Sequence, residues 1–250
     1  MSSWLGDGQT GGMVQGGGVE LDRVRELRQR GLTPKEIARA VGLPPARVTQ
    51  LIKAMAAAEA VDPTRSPVVE CWVSSGWSAG LTVTGHHPEW LDEPGDDNAS
   101  SGLVGVLLAR EAGRSRVSVC AWLVDVYCLG VKNDLGPTRT YRADLPMTVR
   151  NFFAVFGTRP LAAPLELAQH LVLGAVDYAR SLGFEPAAEA DFADTRGHLG
   201  PWEGPSAIRF GRDGQPFFIS GPNDNPSRIL QQLERAAGPG NFHYMIGVPE

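Results

Sequence analysis

The chain has 250 residues, 42% hydrophobic and 8% aromatic, a composition that supports a buried core and excludes global disorder. Its net charge of −5 excludes a protein that is basic throughout, and its three cysteines (Cys71, Cys120 and Cys128), with no C-x-x-C spacing, exclude a disulfide framework. No apolar stretch reaches the roughly 18 residues of a membrane span, and no basic segment precedes an apolar core at the N-terminus. A cytoplasmic protein without membrane contact is the expectation.

In chain order, residues 1–18 are glycine-rich and without periodicity, and they read as a disordered tail. Residues 19–61 read as a small all-α module. Val24, Leu27 and Arg28 fit a short amphipathic helix that stops at Gly31. Thr33-Pro34-Lys35-Glu36 has the spacing of a capping box, with threonine as N-cap, proline at the first helical position and glutamate three residues on. Ile37, Ala38 and Val41 supply the inner face of this second helix. Val41-Gly42-Leu43 makes a tight corner, and Pro44-Pro45 opens a third helix whose inner face is Val48, Leu51, Ile52 and Met55. Asp62–Pro67, with two prolines, reads as a linker to an α+β domain over 68–250.

In that larger domain the sequence predicts short strands at Val68–Ser74 and Leu81–Thr84, then an exposed loop over Gly85–Ser101. Leu103–Glu111 and Val117–Val131 read as two long buried strands joined by Ala112–Arg116. Helices are expected at Pro146–Phe156 and Pro164–Leu182. A polar glycine-containing stretch then leads to Ala207–Phe210 and Phe217–Ser220, read as a hairpin through Gly211–Pro216. Asn225 caps a last helix reaching about Ala237, and Phe242–Ile246 is expected to close the sheet. The fold class is therefore α+β: an N-terminal three-helix module joined to a larger mixed α+β domain.

Charge is distributed unevenly. Residues 19–58 hold eight basic and four acidic side chains, a net +4, which leaves 15 basic and 24 acidic side chains, a net −9, in the rest. That layout suits a module that meets phosphates on an acidic body that does not. On the third helix Arg47, Thr49, Gln50 and Lys53 point outward in this reading. Arg47 matches the O6/N7 edge of guanine, Gln50 the N6/N7 edge of adenine, and Thr49 a phosphate or a thymine methyl. Lys35, Arg39 and Lys53 match phosphates.

The run GLTPKEIARAVGLPPARVTQLIKAM, through Thr33, Glu36, Ile37, Ala38, Val41, Gly42, Leu43, Val48 and Ile52, resembles the helix-turn-helix of bacterial regulators and of sigma-factor-like regions. The resemblance covers about forty residues, and Pro44-Pro45 departs from the usual serine or threonine cap. It implies double-stranded DNA as partner, a role in transcription regulation, and a homodimer to supply two half-sites. A protein-docking role for the three helices is the alternative. In residues 68–250 the runs Cys128–Lys132, Gly221–Pro226 and Gly238–Tyr244 resemble segments of uncharacterised bacterial proteins, which implies no activity.

The larger domain offers only scattered chemistry. Asp125 interrupts an apolar run and is followed by Lys132, Asn133 and Asp134. Asp125 with Asp134 would suit a metal-assisted nuclease-like site, whereas a carboxylate satisfied by Lys132 or a backbone amide explains Asp125 without chemistry. Asn225, at the end of Ser220–Pro226, reads as an N-cap or an anion site. His243 reads as a pocket residue beside the helix of Asn225 or as a half-buried strand histidine. His86-His87 with Glu89 lacks zinc spacing and would hold a metal only with distant partners. No cofactor or metal motif is present; the domain is expected to sense a small molecule, bind a protein partner or oligomerise.

Overall fold

The structure is a computed structural model. It describes residues 23–58 (apart from 25, 29 and 31), 66–93, 101–186 (apart from 156 and 158) and 189–246, with only the backbone given for 53–58 and 189–191. The expected tail at 1–18, most of the expected linker and the side chain of Lys53 lie outside the described residues. Two compact units divide between Val61 and Asp62.

In the smaller unit, helical backbone at residues 23–24 and 26–28 is followed by α1 (Pro34–Val41) and α2 (Pro45–Ala58). α1 starts where the local chemistry requires. The Thr33 N–H donates to Glu36 Oε2 at 2.8 Å, and Glu36 N–H donates to Thr33 Oγ1 at 3.4 Å, so two otherwise unpaired amides are satisfied reciprocally. The Thr33 hydroxyl, which donates to Glu36 Oε2 at 2.6 Å, and then the Thr33 N–H hold the Glu36 carboxyl below its ordinary value. α1 stops at Gly42, whose φ of +71° is left-handed and whose N–H returns to the Ala38 carbonyl. Val24, Leu27, Ile37, Ala38, Val48 and Leu51 are buried together, with Leu32, Val41, Leu43 and Ile52 packed against them.

The larger unit is mixed α+β. It is built on a five-stranded antiparallel sheet in the order β5-β4-β3-β1-β6, from β1 (Val68–Ser74), β3 (Leu103–Glu111), β4 (Arg116–Asp125), β5 (Gly130–Tyr141) and β6 (Pro160–Ala162). β2 (Thr82–Val83) lies outside it. Two helices cover the two faces. α4 (Leu165–Ser181) buries Leu167, Leu171, Val172 and Val176 with Trp122, Val104, Val106 and Leu108. α3 (Leu145–Val155) buries Leu145, Val149 and Phe153 against Leu107, Ala109, Val117, Val119 and Ala121. Each large apolar side chain removed from water in this way contributes about 1.5–3 kcal/mol.

Several expectations are corrected. Val117–Val131 is not one strand. Val126–Leu129 form a turn between β4 and β5, and this turn is apolar because it is itself buried, with Tyr127 and Cys128 fully inaccessible. Gly130 leaves the turn at φ +68°, where a Cβ would stand 2.9 Å from the Ala179 Cβ and 3.0 Å from the Ala175 carbonyl of α4. β5 was missed because it is polar and contains Pro137, features tolerated only on an edge strand, which it is. α5 (Glu189–Arg196) lies in the stretch expected to be irregular.

The expected hairpin over 207–220 does turn, but its arms find other partners. β7 (Ile208–Arg209) pairs with β2, and β8 (Phe217–Ile219) pairs in parallel with β9 (His243–Met245). β9 therefore closes a separate two-stranded sheet and not the main one. α6 (Pro226–Ala237) follows its predicted span, with the Asn225 side chain accepting from the Arg228 N–H at 3.2 Å.

Candidate functional site

In the smaller unit, Lys35 and Arg39 of α1 and Arg47, Thr49 and Gln50 of α2 are all exposed. The inner faces of both helices are occupied by the apolar cluster, and these polar residues lie outside it. α2 begins at Pro45, with the Arg47 and Val48 amides donating to the Pro44 backbone carbonyl at 2.9 and 3.1 Å; proline has no side-chain oxygen to act as the usual serine or threonine cap. Thr49 differs from its expected role in one respect. Its hydroxyl donates to the Pro45 carbonyl at 2.9 Å, which leaves an oxygen lone pair and the methyl group for contacts.

In the larger unit Asp125 and Asp134 are not brought together. The strand register sets Asp125 opposite Gly130 and Asp134 opposite Trp122, three residues apart along β4, or about 10 Å at the rise of a strand. Asp125 is buried and its Oδ1 accepts from the Tyr127 and Cys128 amides at 2.9 and 3.0 Å. Its carboxyl closes the buried turn. Burial pushes its pKa up to about 6, against the pull of those amides and of the Lys132 charge.

Asp134 belongs to a different arrangement. Its Oδ2 accepts from Thr195 Oγ1 at 2.6 Å, and the same hydroxyl accepts from Trp122 Nε1 at 3.1 Å. All three residues are buried. No local pattern marks Thr195, which reaches this position because α5 packs beside β5.

Lys132 and the Asn225 segment do meet. Lys132 Nζ lies 2.7 Å from Asp224 Oδ2, which also accepts from the Gly221 N–H at 2.7 Å. The ion pair sits at one wall of a cleft that includes Asn225, Arg228, Gln232 and Arg235. His243 is elsewhere: it is exposed on β9 and shares a shallow concavity with Arg212, Asp213 and Phe217, not with α6. The half-buried setting is corrected by its exposure, and the concavity it lines is formed without α6.

No family model, curated protein or solved structure matches this chain.

Beside α3, the sheet face over β4 and β5 is left partly uncovered, and a cavity of about 610 Å³ lies there. Its floor is Leu107, Val119, Ala121, Leu123 and Leu135; its roof is Thr148, Asn151, Phe152 and Val155 of α3. Asn133, Thr138 and Thr140 supply polar atoms along β5. Asp134 borders the wall, but its carboxylate is turned to the opposite face, toward Thr195. The lining thus pairs an apolar floor with neutral hydrogen-bonding groups, and its volume is in the range of small-molecule sites. Among the described residues no helix is long and apolar enough to cross a membrane.

Proposed function

We propose that the chain is a DNA-binding regulator. In this reading α1 and α2 are a helix-turn-helix, α2 enters the major groove, and the larger unit senses a small uncharged molecule. The observation that carries the first part is the arrangement of the smaller unit. Its apolar side chains are gathered inside, while Lys35, Arg39, Arg47, Thr49 and Gln50 are exposed on a segment of net charge +4. Arg47 and Gln50 would read base edges and Lys35 and Arg39 would hold phosphates. Dimerisation would supply a second half-site, as single modules of this size bind weakly.

The test is fluorescence anisotropy of the full chain on a 30-base-pair random duplex (roughly three helical turns) across a salt series. The wild type is expected to lose affinity steeply with salt. Lys35→Ala/Arg39→Ala should make the log–log slope shallower by about 2. Selection of preferred duplexes from a random pool should enrich one motif for the wild type and none for Arg47→Ala/Gln50→Ala. Binding that ignores salt, or a motif that survives the double substitution, would sink the reading.

The cavity beside α3 supports the sensing role, since an uncharged lining favours an uncharged ligand. Nile red, a neutral apolar dye, is expected to bind the full chain with enhanced fluorescence. Ala121→Phe, which projects a ring from the cavity floor, should abolish that signal while leaving the circular dichroism unchanged. Equal dye binding by wild type and variant would remove the cavity as the site.

A further inference from the structure

The sequence holds His87 and Glu89 close together but shows no third ligand near them. The fold supplies one. Glu166, in the first turn of α4, comes to the loop after β2, so that one imidazole nitrogen and two carboxylate oxygens lie within 4.8 Å of one another. We propose that His87, Glu89 and Glu166 form a site for a divalent first-row transition-metal ion of the zinc or manganese class.

Four features support it. The His87 ring is held in place: it stacks on Trp90 with centroids 3.8 Å apart and planes 15° from parallel. Its Nε2 lies 3.2 Å from the Thr84 carbonyl, so Nε2 carries the proton and the Nδ1 lone pair is left for an electrophile. That backbone partner is the outer-sphere contact that metal-binding histidines commonly make. Second, the two carboxylates repel at this separation, and among the described residues no lysine or arginine forms an ion pair with either. A cation between them removes the repulsion.

Third, Glu166 has an oriented neighbour of its own. His170 Nδ1 accepts from the Ala207 N–H at 2.9 Å, which places the remaining proton on Nε2, 4.0 Å from Glu166 Oε1. His170 thus faces the carboxylate as a donor and not as a fourth ligand. It is fixed by the rings of Trp90 and Trp202, at 4.9 and 5.0 Å. Fourth, both glutamates are exposed and free to change rotamer, so the donors can close to the roughly 3.3 Å spacing that ~2.0–2.1 Å bonds in a tetrahedral site require.

The donor set argues for the metal class. Nitrogen with two carboxylates suits zinc or manganese, whereas magnesium and calcium favour oxygen alone. Three protein ligands leave at least one position for water or a small anionic ligand. Binding would also tie the loop 84–93 to α4. The proposal is independent of DNA binding, so either can fail alone.

The experiment is calorimetric titration of the EDTA-treated full chain with ZnCl2, and separately with MnCl2 and MgCl2. One equivalent of zinc is expected to bind, with slower hydrogen exchange in the loop 84–93. Glu166→Gln, a substitution of an exposed side chain, should weaken zinc binding by about tenfold or more and abolish the exchange effect. His86→Ala is the control: His86 is adjacent and exposed but outside the cluster, and its loss should change neither. No stoichiometric binding, or binding lost in His86→Ala and kept in Glu166→Gln, overturns the site.

Discussion

Replacing Asp125 with alanine is expected to lower the unfolding free energy by about 2–5 kcal/mol, because two buried amides lose their acceptor at once. Those amides belong to Tyr127 and Cys128, both inaccessible to water, so no solvent molecule substitutes for the carboxylate. Urea unfolding followed by tryptophan fluorescence measures the loss. Asp125→Asn is the informative companion, since its side-chain carbonyl still accepts both bonds but cannot ionise.

The pH dependence of that pair has a definite sign. Burial raises the Asp125 carboxyl from 3.8 to about 6 in the folded chain. Between pH 4 and 6 the folded state therefore binds more protons than the unfolded state, and the contribution of Asp125 falls as pH rises. His198 opposes it. Its own burial and the nearby Arg110 charge lower its pKa from 6.5 to about 4, so its contribution falls as pH decreases through the same window. In the wild type the two tendencies offset each other. In Asp125→Asn only that of His198 remains, so the stability of the variant relative to wild type should grow by about 3 kcal/mol from pH 4 to pH 7. A difference that stays constant over that range would show that Asp125 ionises in the folded chain as it does in water.

Thr195→Val should destabilise the larger unit by about 2–4 kcal/mol while leaving its volume filled. The hydroxyl removed is both donor to Asp134 and acceptor from Trp122, and Thr195 is fully buried. Valine matches the shape of threonine, so the loss reports hydrogen bonding and not a cavity. Thr195→Ser, which keeps the hydroxyl and removes one methyl, should cost only about 0.5–1.5 kcal/mol. Thermal unfolding separates them: the valine variant is expected to melt about 5–15 °C below wild type. Equal losses in the two variants would mean that the hydroxyl contributes nothing beyond packing.

These two residues also mark the limit of what was legible before the fold was known. Asp125 stood out because a carboxylate among apolar neighbours requires a partner, and one of the partners considered, a backbone amide, is the one observed. Thr195 gave no signal, because its partners Trp122 and Asp134 are distant in sequence and are joined only when α5 packs beside β5. Glu166 was equally silent: a glutamate in the first turn of a helix is ordinary, and its nearness to His87 depends on how α4 crosses the sheet. The cavity was invisible for a related reason. Its floor reads as normal strand core, and only the placement of α3 leaves part of that face uncovered.

Features set by neighbouring residues could be read directly from the chain. The Thr33–Glu36 capping box, the left-handed Gly42, the Asn225 cap and the spans of β1, β3, α3, α4 and α6 depend on contacts within a few residues. Pairing was another matter. The arms of 207–220 look like a hairpin by proximity, yet they bond to β2 and β9. The apolar run from Val117 looks like one strand, yet it folds back at a turn that is apolar because segments distant in sequence, among them Phe217 and Phe218 of β8 and Leu233 of α6, bury it. Backbone propensity and capping act over one helical turn, whereas strand partners, edge position and burial are decided by which surfaces meet in three dimensions.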